Sequence, residues 1–160
     1  MLSDFEITKL IADKQLIIEP FDMKRLGPVS YDLKTVQESS SRGVKKLVTV
    51  ETIQMPYDVA GVVMARSRVA NREVFTSFGP LVDPGYKGKL IFLVWKPGNP
   101  NEDYNVSDLF QIVFFRIKTP AVTYDQRPES TAMLRSGFDK EKYTKETTDS
   151  AKDEPILVGP

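Results

Sequence analysis

Short apolar runs separated by turn-forming residues fill most of this sequence, and they constrain its fold more than any other feature. Most runs are too short for helices, and the segments between them are rich in Pro, Gly, Asn, Asp and Ser. Short strands at this spacing are typical of a β-sandwich or β-barrel and not of alternating strands and helices. We therefore predict an all-β domain with strands in residues 16–19, 29–36, 46–53, 59–65, 74–78, 89–95 and 110–118.

One N-terminal helix is the predicted exception to the all-β pattern. Ser3 and Glu6 have the spacing of a capping box, and Leu2 and Ile7 occupy the two positions of a hydrophobic staple around it. Apolar residues then recur at helical spacing along the following two turns. The pattern predicts a helix over about residues 4–13.

Two of the runs, residues 90–95 and 110–115, are apolar at nearly every position. A strand with one wet face would alternate apolar and polar side chains, so we expect both faces of these strands to be covered. A subunit interface would supply the second cover, and we therefore expect a homo-oligomer. The alternative is that the helix or the C-terminal tail of the same chain covers that face.

The C-terminal end of the chain differs in composition from the rest. Ten of the sixteen residues from 139 to 154 are charged, and no periodic apolar pattern runs through them. Segments of this kind do not bury enough apolar surface to offset the entropy of ordering them. We predict one domain over residues 1–138, followed by a charged and mobile tail over residues 139–160.

Two missing residue types narrow the chemistry. The 160 residues include no cysteine and no histidine, which excludes Ser-His-Asp and Cys-His nucleophilic sites and metal sites built from thiolate and imidazole. A bound metal would be a hard cation on oxygen ligands, such as Mg²⁺. Acid–base chemistry would fall to Asp, Glu, Lys or Tyr.

Charge and hydropathy narrow the location and the partners. The 22 basic and 22 acidic residues cancel, which argues against a nucleic-acid binder that relies on bulk charge. No apolar run approaches the roughly 20 residues of a membrane span, and the first residues lack the basic flank and apolar core of a signal peptide. We expect a soluble cytoplasmic protein with neither a membrane nor a nucleic acid as partner.

Polar residues interrupt the apolar pattern at three places near strand ends. Arg66, Ser67 and Arg68 follow an apolar run, and two guanidinium groups with a hydroxyl suit phosphate. Asp83 closes a run and could polarise a water, while Asp32, within an apolar run, could hold a water bound to Mg²⁺. Each place also has an ordinary explanation: surface ion pairs for the arginines, a β-turn at Asp83 and a turn cap at Asp32.

Taken in order, these segments resemble the motifs of the trimeric dUTP pyrophosphatase and dCTP deaminase superfamily. The resemblance covers about residues 2–124 and is strongest over residues 83–88, which match the third motif, D-x-x-[YFW]-x-G. The start of the chain, in residues 2–4 and 19–22, is similar to the dCTP deaminase branch. The first, second and fourth motifs are matched by residues 29–33, 66–67 and 107–112.

The resemblance implies a distorted β-barrel or jelly-roll subunit in a homotrimer, with sites at the subunit boundaries and dUTP or dCTP as substrate. It implies that Asp83 orients the attacking water, that Asp32 holds a water of a bound Mg²⁺ ion, and that Tyr86 excludes a ribose 2′-hydroxyl. The implied phosphate-binding residues are Arg66, Ser67 and Gln111, and Arg68 is a further candidate for substrate binding.

One departure from the family affects the choice of reaction. The deaminases carry a catalytic glutamate five residues after the glycine that ends the third motif, and Leu93 occupies that position here. An apolar side chain cannot transfer a proton, so we expect a dUTP diphosphatase, which converts dUTP and water to dUMP and pyrophosphate. The alternatives are a dCTP deaminase with a rearranged site and a non-catalytic relative that binds nucleotide or serves as a scaffold.

Further departures concern arginines and the lid over the site. The second motif of the family is usually R-S-S, and Arg68 stands at its last position here. The downstream arginine of the deaminases falls on Asn71, so that Arg68 or the neighbouring Arg72 would have to take its role. For the C-terminal lid of the family, the candidates are Arg135, which could bind phosphate, and Phe138, which could stack on a base; the alternative is a plain turn.

Overall fold

The computed structural model describes residues 1–77, 81–98 and 105–127. The chain divides into two units, Met1–Asp125 and Gln126–Pro160, and almost all of the second unit lies outside the described residues. The predicted lid residues Arg135 and Phe138 lie outside them as well. The predicted division between a domain and a tail after residue 138 therefore stays a prediction.

A helix, α1 (Asp4–Ala12), opens the chain as the capping pattern predicts. The Glu6 amide donates to Ser3 Oγ at 3.3 Å, and the Ser3 amide donates to Glu6 Oε2 at 2.9 Å, which completes the capping box. The staple residues Leu2 and Ile7 are both buried in the core. No helix in the described ranges is long and apolar enough to cross a membrane.

Antiparallel strands form three sheets in the described part of the chain. The first sheet has the order β1 (Ile17–Glu19), β5 (Thr52–Gln54), β9 (Lys87–Gly88). The second has the order β3 (Thr35–Ser41), β4 (Val44–Thr49), β10 (Ile91–Trp95), β7 (Phe75–Thr76). The third has the order β2 (Tyr31–Leu33), β11 (Phe110–Arg116), β6 (Val59–Ala65), β8 (Leu81–Val82). The predicted all-β fold is confirmed, but these three sheets do not close into a barrel.

The core lies between the two four-stranded sheets. Phe92 on β10 and Phe110 on β11 stack with their ring centroids 4.0 Å apart, so these sheets face each other across an apolar layer. The N-terminal helix adds Ile7 and Leu10 to this layer. Other fully buried side chains include Tyr31, Leu33, Leu47, Ile53, Ile112 and Phe114.

Two of the predicted strands are each divided between two sheets. Residues 29–36 divide at Lys34 into β2 and β3, and residues 46–53 divide at Val50 and Glu51 into β4 and β5. The Glu51 carboxylate is buried and accepts the Lys34 amide, with its oxygens 3.1 Å and 3.2 Å from the nitrogen. The Val50 amide donates to the Lys34 carbonyl at 2.8 Å. The two segments at which the chain passes from one sheet to another therefore hold each other in place.

Residues 39–43, which lie between two of the predicted strands, form a tight hairpin, and their serines belong to strand β3. Ser41 pairs with Val44, which leaves a loop of only Arg42 and Gly43. Both loop residues have positive φ, 51° and 80°, as a type I′ turn requires. Strand β3 is therefore longer at this end than the serine-rich composition predicts.

The two fully apolar runs have different surroundings. Strand β11 lies between β2 and β6, and most of its side chains are buried within the same chain. Strand β10 alternates, with Ile91, Leu93 and Trp95 exposed at 52%, 45% and 40% on its outer face. The chain thus supplies the second cover for β11, whereas β10 carries an apolar row that the described residues leave in solvent.

Candidate functional site

Two predicted site residues, Asp32 and Arg66, form an ion pair across the third sheet. Arg66 Nη1 lies 2.7 Å from Asp32 Oδ2, and each side chain is less than one quarter exposed, at 21% for Arg66 and 24% for Asp32. Asp32 belongs to β2 and Arg66 directly follows β6, with β11 between these two strands. The pair therefore spans β11 at the level of the predicted phosphate-binding residue on that strand.

That residue is Gln111, and the structure places it beside the pair. Gln111 pairs in register with Asp32 on one side and with Met64 on the other. Directly opposed residues share a face of the sheet, so the Gln111 and Asp32 side chains project to the same side. Ser30 Oγ donates to Gln111 Oε1 at 3.1 Å, which fixes the orientation of this amide.

A second ion pair, between Arg25 and Asp108, was not found by sequence reasoning. Arg25 Nη1 lies 2.6 Å from Asp108 Oδ1 and donates to the Asp32 carbonyl at 3.4 Å. Arg25 ends a short 3₁₀ turn, Met23–Arg25, whereas Asp108 stands in the loop before β11. The two residues are far apart in the chain, and nothing in a single sequence indicates that they pair.

The two pairs set the electrostatics of this cluster. Burial raises the pKa of Asp32 above its ordinary value, and the charges of Arg66, Arg25 and Arg68 oppose the rise. Burial also acts to raise the pKa of Asp108, but the hydrogen bond and charge of Arg25 outweigh it and lower this pKa. The cluster balances two cations with two carboxylates, so an incoming phosphate would have to compete with a carboxylate for an arginine.

The segment after β6 forms a short helix, α2 (Ser67–Asn71), which the sequence pattern did not predict. Only one of its side chains, Val69, is buried, so no apolar periodicity is present to reveal it. The Arg66 amide donates to the Leu109 carbonyl at 2.9 Å, which anchors the start of the helix beside the loop before β11. Ser67 is exposed on the first turn, next to Arg66.

Three candidates were open for the downstream arginine, and their surroundings differ. Arg72 Nη1 donates to the carbonyls of Asn105 and Ser107 at 2.9 Å and 3.2 Å, so its guanidinium holds backbone. Asn71 carries no charge. Arg68 is exposed on α2, and its charge opposes the rise in the pKa of the Asp32 carboxyl. Its position fits the role better than that of Arg72.

The predicted catalytic residue Asp83 begins a β-turn, which is the structural role that the sequence analysis gave as the alternative to catalysis. The Tyr86 amide donates to the Asp83 carbonyl at 3.1 Å, and Gly85 has a φ of 79° after Pro84. Proline followed by a residue of positive φ is the pattern of a type II turn. Tyr86 Oη donates to the Lys89 carbonyl at 2.7 Å, and burial raises the pKa of Tyr86 to about 12.

The structure does not bring Asp83 together with the Asp32–Arg66 pair in one chain. Val82 pairs with Gly61 near the start of β6, and Arg66 follows the end of that strand. About six residues of extended chain separate the two positions, which is roughly 20 Å. One chain therefore carries two parts of the predicted site at opposite ends of a strand.

A resident metal centre made only of protein ligands is absent from the described ranges. No group of three or more Asp or Glu side chains lies close enough there to hold an ion. Asp32 offers one carboxylate, which Arg66 already binds. An Mg²⁺ ion at this place would need most of its oxygen ligands from a substrate and from water.

Comparison with known proteins identifies the family. The family model described as dCTP deaminase-like matches residues 47–117. A protein named dCTP deaminase from Pyrococcus furiosus is 32% identical, with 76% of this chain and 85% of that protein covered. The chain belongs to the dCTP deaminase-like family. A dCTP deaminase from Pyrococcus horikoshii is 30% identical over similar shares, 75% and 85%.

A solved structure shares the fold of this member of the dCTP deaminase-like family. The 2′-deoxycytidine 5′-triphosphate deaminase from Agrobacterium tumefaciens superposes with a TM-score of 0.55 at 18% identity. The match covers 73% of this chain and 47% of that chain. The superposition supports the all-β fold of the superfamily that the sequence motifs resemble.

Proposed function

We propose that this chain is an enzyme that deaminates dCTP, so that dCTP and water give dUTP and ammonia. The observation that carries the proposal is the 32% identity to a protein named dCTP deaminase over 85% of that protein's length. This reverses the order expected from the sequence alone, in which hydrolysis of dUTP came first. The clustering of Asp32, Arg66 and Gln111 supports a triphosphate substrate for either reaction.

Hydrolysis of dUTP to dUMP and pyrophosphate is the second candidate, and Leu93 favours it. Leu93 lies on the outer face of β10 and offers no group that transfers a proton. Asp83 keeps its place at the start of a well-defined turn, from which a carboxylate could orient water. Both candidate reactions use one triphosphate anchor and differ in the group that water attacks.

The proposed anchor consists of Arg66, Ser67, Arg68 and Gln111. Arg66 reaches Asp32 across β11, the strand that carries Gln111, and the two α2 residues stand exposed beside Arg66. Guanidinium groups form charge-assisted hydrogen bonds with phosphate oxygens, and such bonds are about twice as strong as neutral ones. Phosphate binding would release the Asp32 carboxylate from Arg66.

We propose Mg²⁺ as a companion of the triphosphate and not as a resident of the protein. The released Asp32 carboxylate would accept a hydrogen bond from a water of the ion, since Mg²⁺ keeps several waters when it binds phosphates. The ion would supply charge neutralisation of the phosphate oxygens. The oxygen chemistry of Asp32 fits this role, and the separation of the other carboxylates fits the absence of a protein cage.

We also propose that the complete site lies between copies of the chain in a homotrimer. The distance of roughly 20 Å along β6 keeps Asp83 of one chain out of direct contact with the Arg66 cluster of the same chain. A neighbouring copy would bring its Asp83 and Tyr86 to the Arg66 cluster of the first. The exposed apolar row of Ile91, Leu93 and Trp95 provides surface for such a contact.

The position of Tyr86 supports a part in selecting deoxyribose. Its hydroxyl is held by the Lys89 carbonyl, and its ring meets the Tyr124 ring edge-on, with centroids 5.2 Å apart. A ring fixed at two points can exclude a 2′-hydroxyl by shape, because it cannot turn aside to admit one. We therefore propose that Tyr86 discriminates against ribonucleotides.

The test is a panel of dCTP, dUTP, CTP and UTP with Mg²⁺, in which ammonia and pyrophosphate are measured separately. Ammonia from dCTP supports deamination, and pyrophosphate from dUTP alone supports the second candidate. Asp83→Asn should abolish release of pyrophosphate, while the matched variant Asp58→Asn, in an ion pair with Arg116, should not. Binding of dCTP or dUTP without either product would refute both reactions and leave a nucleotide-binding or scaffold role.

A further inference from the structure

The back of the turn at residues 83–86 is held by a second segment, residues 123–125, which we name the strap. The Tyr124 amide donates to the Pro84 carbonyl at 2.8 Å, so the strap is bonded to the middle of the turn. The Tyr124 ring also meets the Tyr86 ring, as described above. Thr123 is buried at 4% exposure, which seats the first strap residue in the protein body.

The Asp125 carboxylate joins the strap to the loop before β6. Thr123 Oγ1 donates to Asp125 Oδ1 at 2.6 Å, and Tyr57 Oη donates to Asp125 Oδ2 at 2.9 Å. Hydrogen bonds to an ionised carboxylate are stronger than those between neutral groups. One side chain therefore fixes two hydroxyl groups that come from different parts of the chain.

Gly85 of the turn lies directly against these three residues. A Cβ atom at Gly85 would lie 2.5 Å from Asp125 Oδ1 and 3.1 Å from both Thr123 Cβ and Tyr57 Cε1. Gly85 therefore packs closely against the strap, which opposes a shift of the turn towards it, and a shift away would break the bond from Tyr124 to Pro84. The contact therefore restrains the turn in both directions.

A groove of about 520 Å³ opens beside this contact, with Tyr57, Gly85 and Asp125 in its wall. Asp125 is exposed there, so its replacement leaves no closed cavity in the core. Asp58 lines the same groove, but its carboxylate pairs with Arg116. The groove thus offers two acidic side chains in a similar setting, and Asp125 is the one whose carboxylate lies against Gly85 of the turn.

We propose that Asp125 is a positioning residue, which holds the turn that carries Asp83 in the conformation needed for the reaction. The inference rests on the proposed function only in the role of Asp83; the restraint of the turn is a property of the fold. Asp125 sets the position of Tyr57 and Thr123, these set the position of Gly85, and Gly85 sets the direction of the residues on either side of it.

The experiment compares the full-length Asp125→Ala, Asp125→Asn and Asp58→Ala variants by amide hydrogen exchange at Tyr86 and by steady-state kinetics. We expect Asp125→Ala to speed exchange of the Tyr86 amide and to lower kcat for hydrolysis of dUTP about tenfold, because a displaced catalytic group costs rate. KM should change less than kcat, since the Arg66 anchor is untouched. Asp125→Asn keeps an acceptor oxygen, so its Tyr86 amide exchange rate and its kcat should both lie close to the wild-type values.

Asp58→Ala should match the wild-type protein in exchange and kcat, which separates this effect from a general loss of groove charge. Exchange and kcat at wild-type values in Asp125→Ala would overturn the proposal. A lower kcat with unchanged exchange would overturn it too, because the turn would then not have moved. If the wild-type protein releases no pyrophosphate from dUTP, the proposed role of Asp83 fails, and the exchange comparison alone decides whether Asp125 restrains the turn.

Discussion

The Asp32 carboxylate is bound by Arg66 at 2.7 Å, so the chain already provides an anion for the arginine that we propose as a phosphate ligand. In the proposed complex, a phosphate oxygen of the substrate would take the place of Asp32 Oδ2 beside Arg66. Burial raises the pKa of Asp32, which means that its charge is costly to keep in this position. We therefore expect substrate binding to begin with the replacement of Asp32 by a phosphate group as the partner of Arg66.

Neutralising Asp32 should therefore strengthen binding of inorganic pyrophosphate in the absence of metal. An ion pair with partial exposure contributes about 1 kcal/mol, which corresponds to roughly a fivefold gain in affinity for Asp32→Asn. Titration calorimetry with pyrophosphate measures this gain. Asp58→Asn, which removes a carboxylate from Arg116 away from the cluster, serves as the control. Weaker binding of pyrophosphate by Asp32→Asn than by the wild-type protein would contradict the proposal that phosphate replaces Asp32 at Arg66.

The Arg25–Asp108 pair should stabilise the fold at neutral pH and lose its effect in acid. The lowered pKa of Asp108 means that its contribution is present above the ordinary value of 3.8 and is lost as pH falls through the folded-state pKa. Asp108→Asn should reduce the unfolding free energy by about 1 kcal/mol at pH 7 and make it less sensitive to acid. Urea denaturation at a series of pH values checks this, and parallel curves for both proteins would refute it.

A charge on the outer face of β10 should dissociate the proposed trimer. Ile91 is 52% exposed and pairs with Val48, so Ile91→Arg leaves the strand pairing intact but places a cation in the apolar row. Ile117→Arg, at an exposed apolar position outside this row, is the matched control. Sedimentation velocity should show a smaller species for Ile91→Arg only. An unchanged sedimentation coefficient would place the interface on another surface.

Much of the fold could be predicted because its signals are local. The capping box at Ser3 and Glu6 and the apolar run that became β6 depend on neighbours in the sequence, and both are confirmed. The division of two runs between sheets could not be predicted, because it depends on the buried contact between Glu51 and the Lys34 amide. Helix α2 was missed because a helix of one turn and a half shows too few apolar repeats.

The site follows the same division between local and distant information. Motif resemblance selected Asp32, Arg66 and Gln111, and the structure places these three together. Arg25 was missed because its partner Asp108 comes from a distant part of the chain. The hydrogen bonds from Arg72 to two backbone carbonyls could not be predicted either, because every residue type has a backbone carbonyl and the sequence does not show which ones an arginine will bind.

The central claim is that Asp83 and Arg66 of different copies form one site, and complementation tests it most directly. Asp83→Asn and Arg66→Gln should each release no pyrophosphate from dUTP when expressed alone. Glutamine is chosen at position 66 because it keeps a hydrogen-bond donor beside Asp32. When both variants are co-expressed and form mixed trimers, about a quarter of the sites combine an intact Asp83 with an intact Arg66. We predict turnover of about a quarter of the wild-type value in the mixture; no recovery above the separate variants would contradict a site shared between copies.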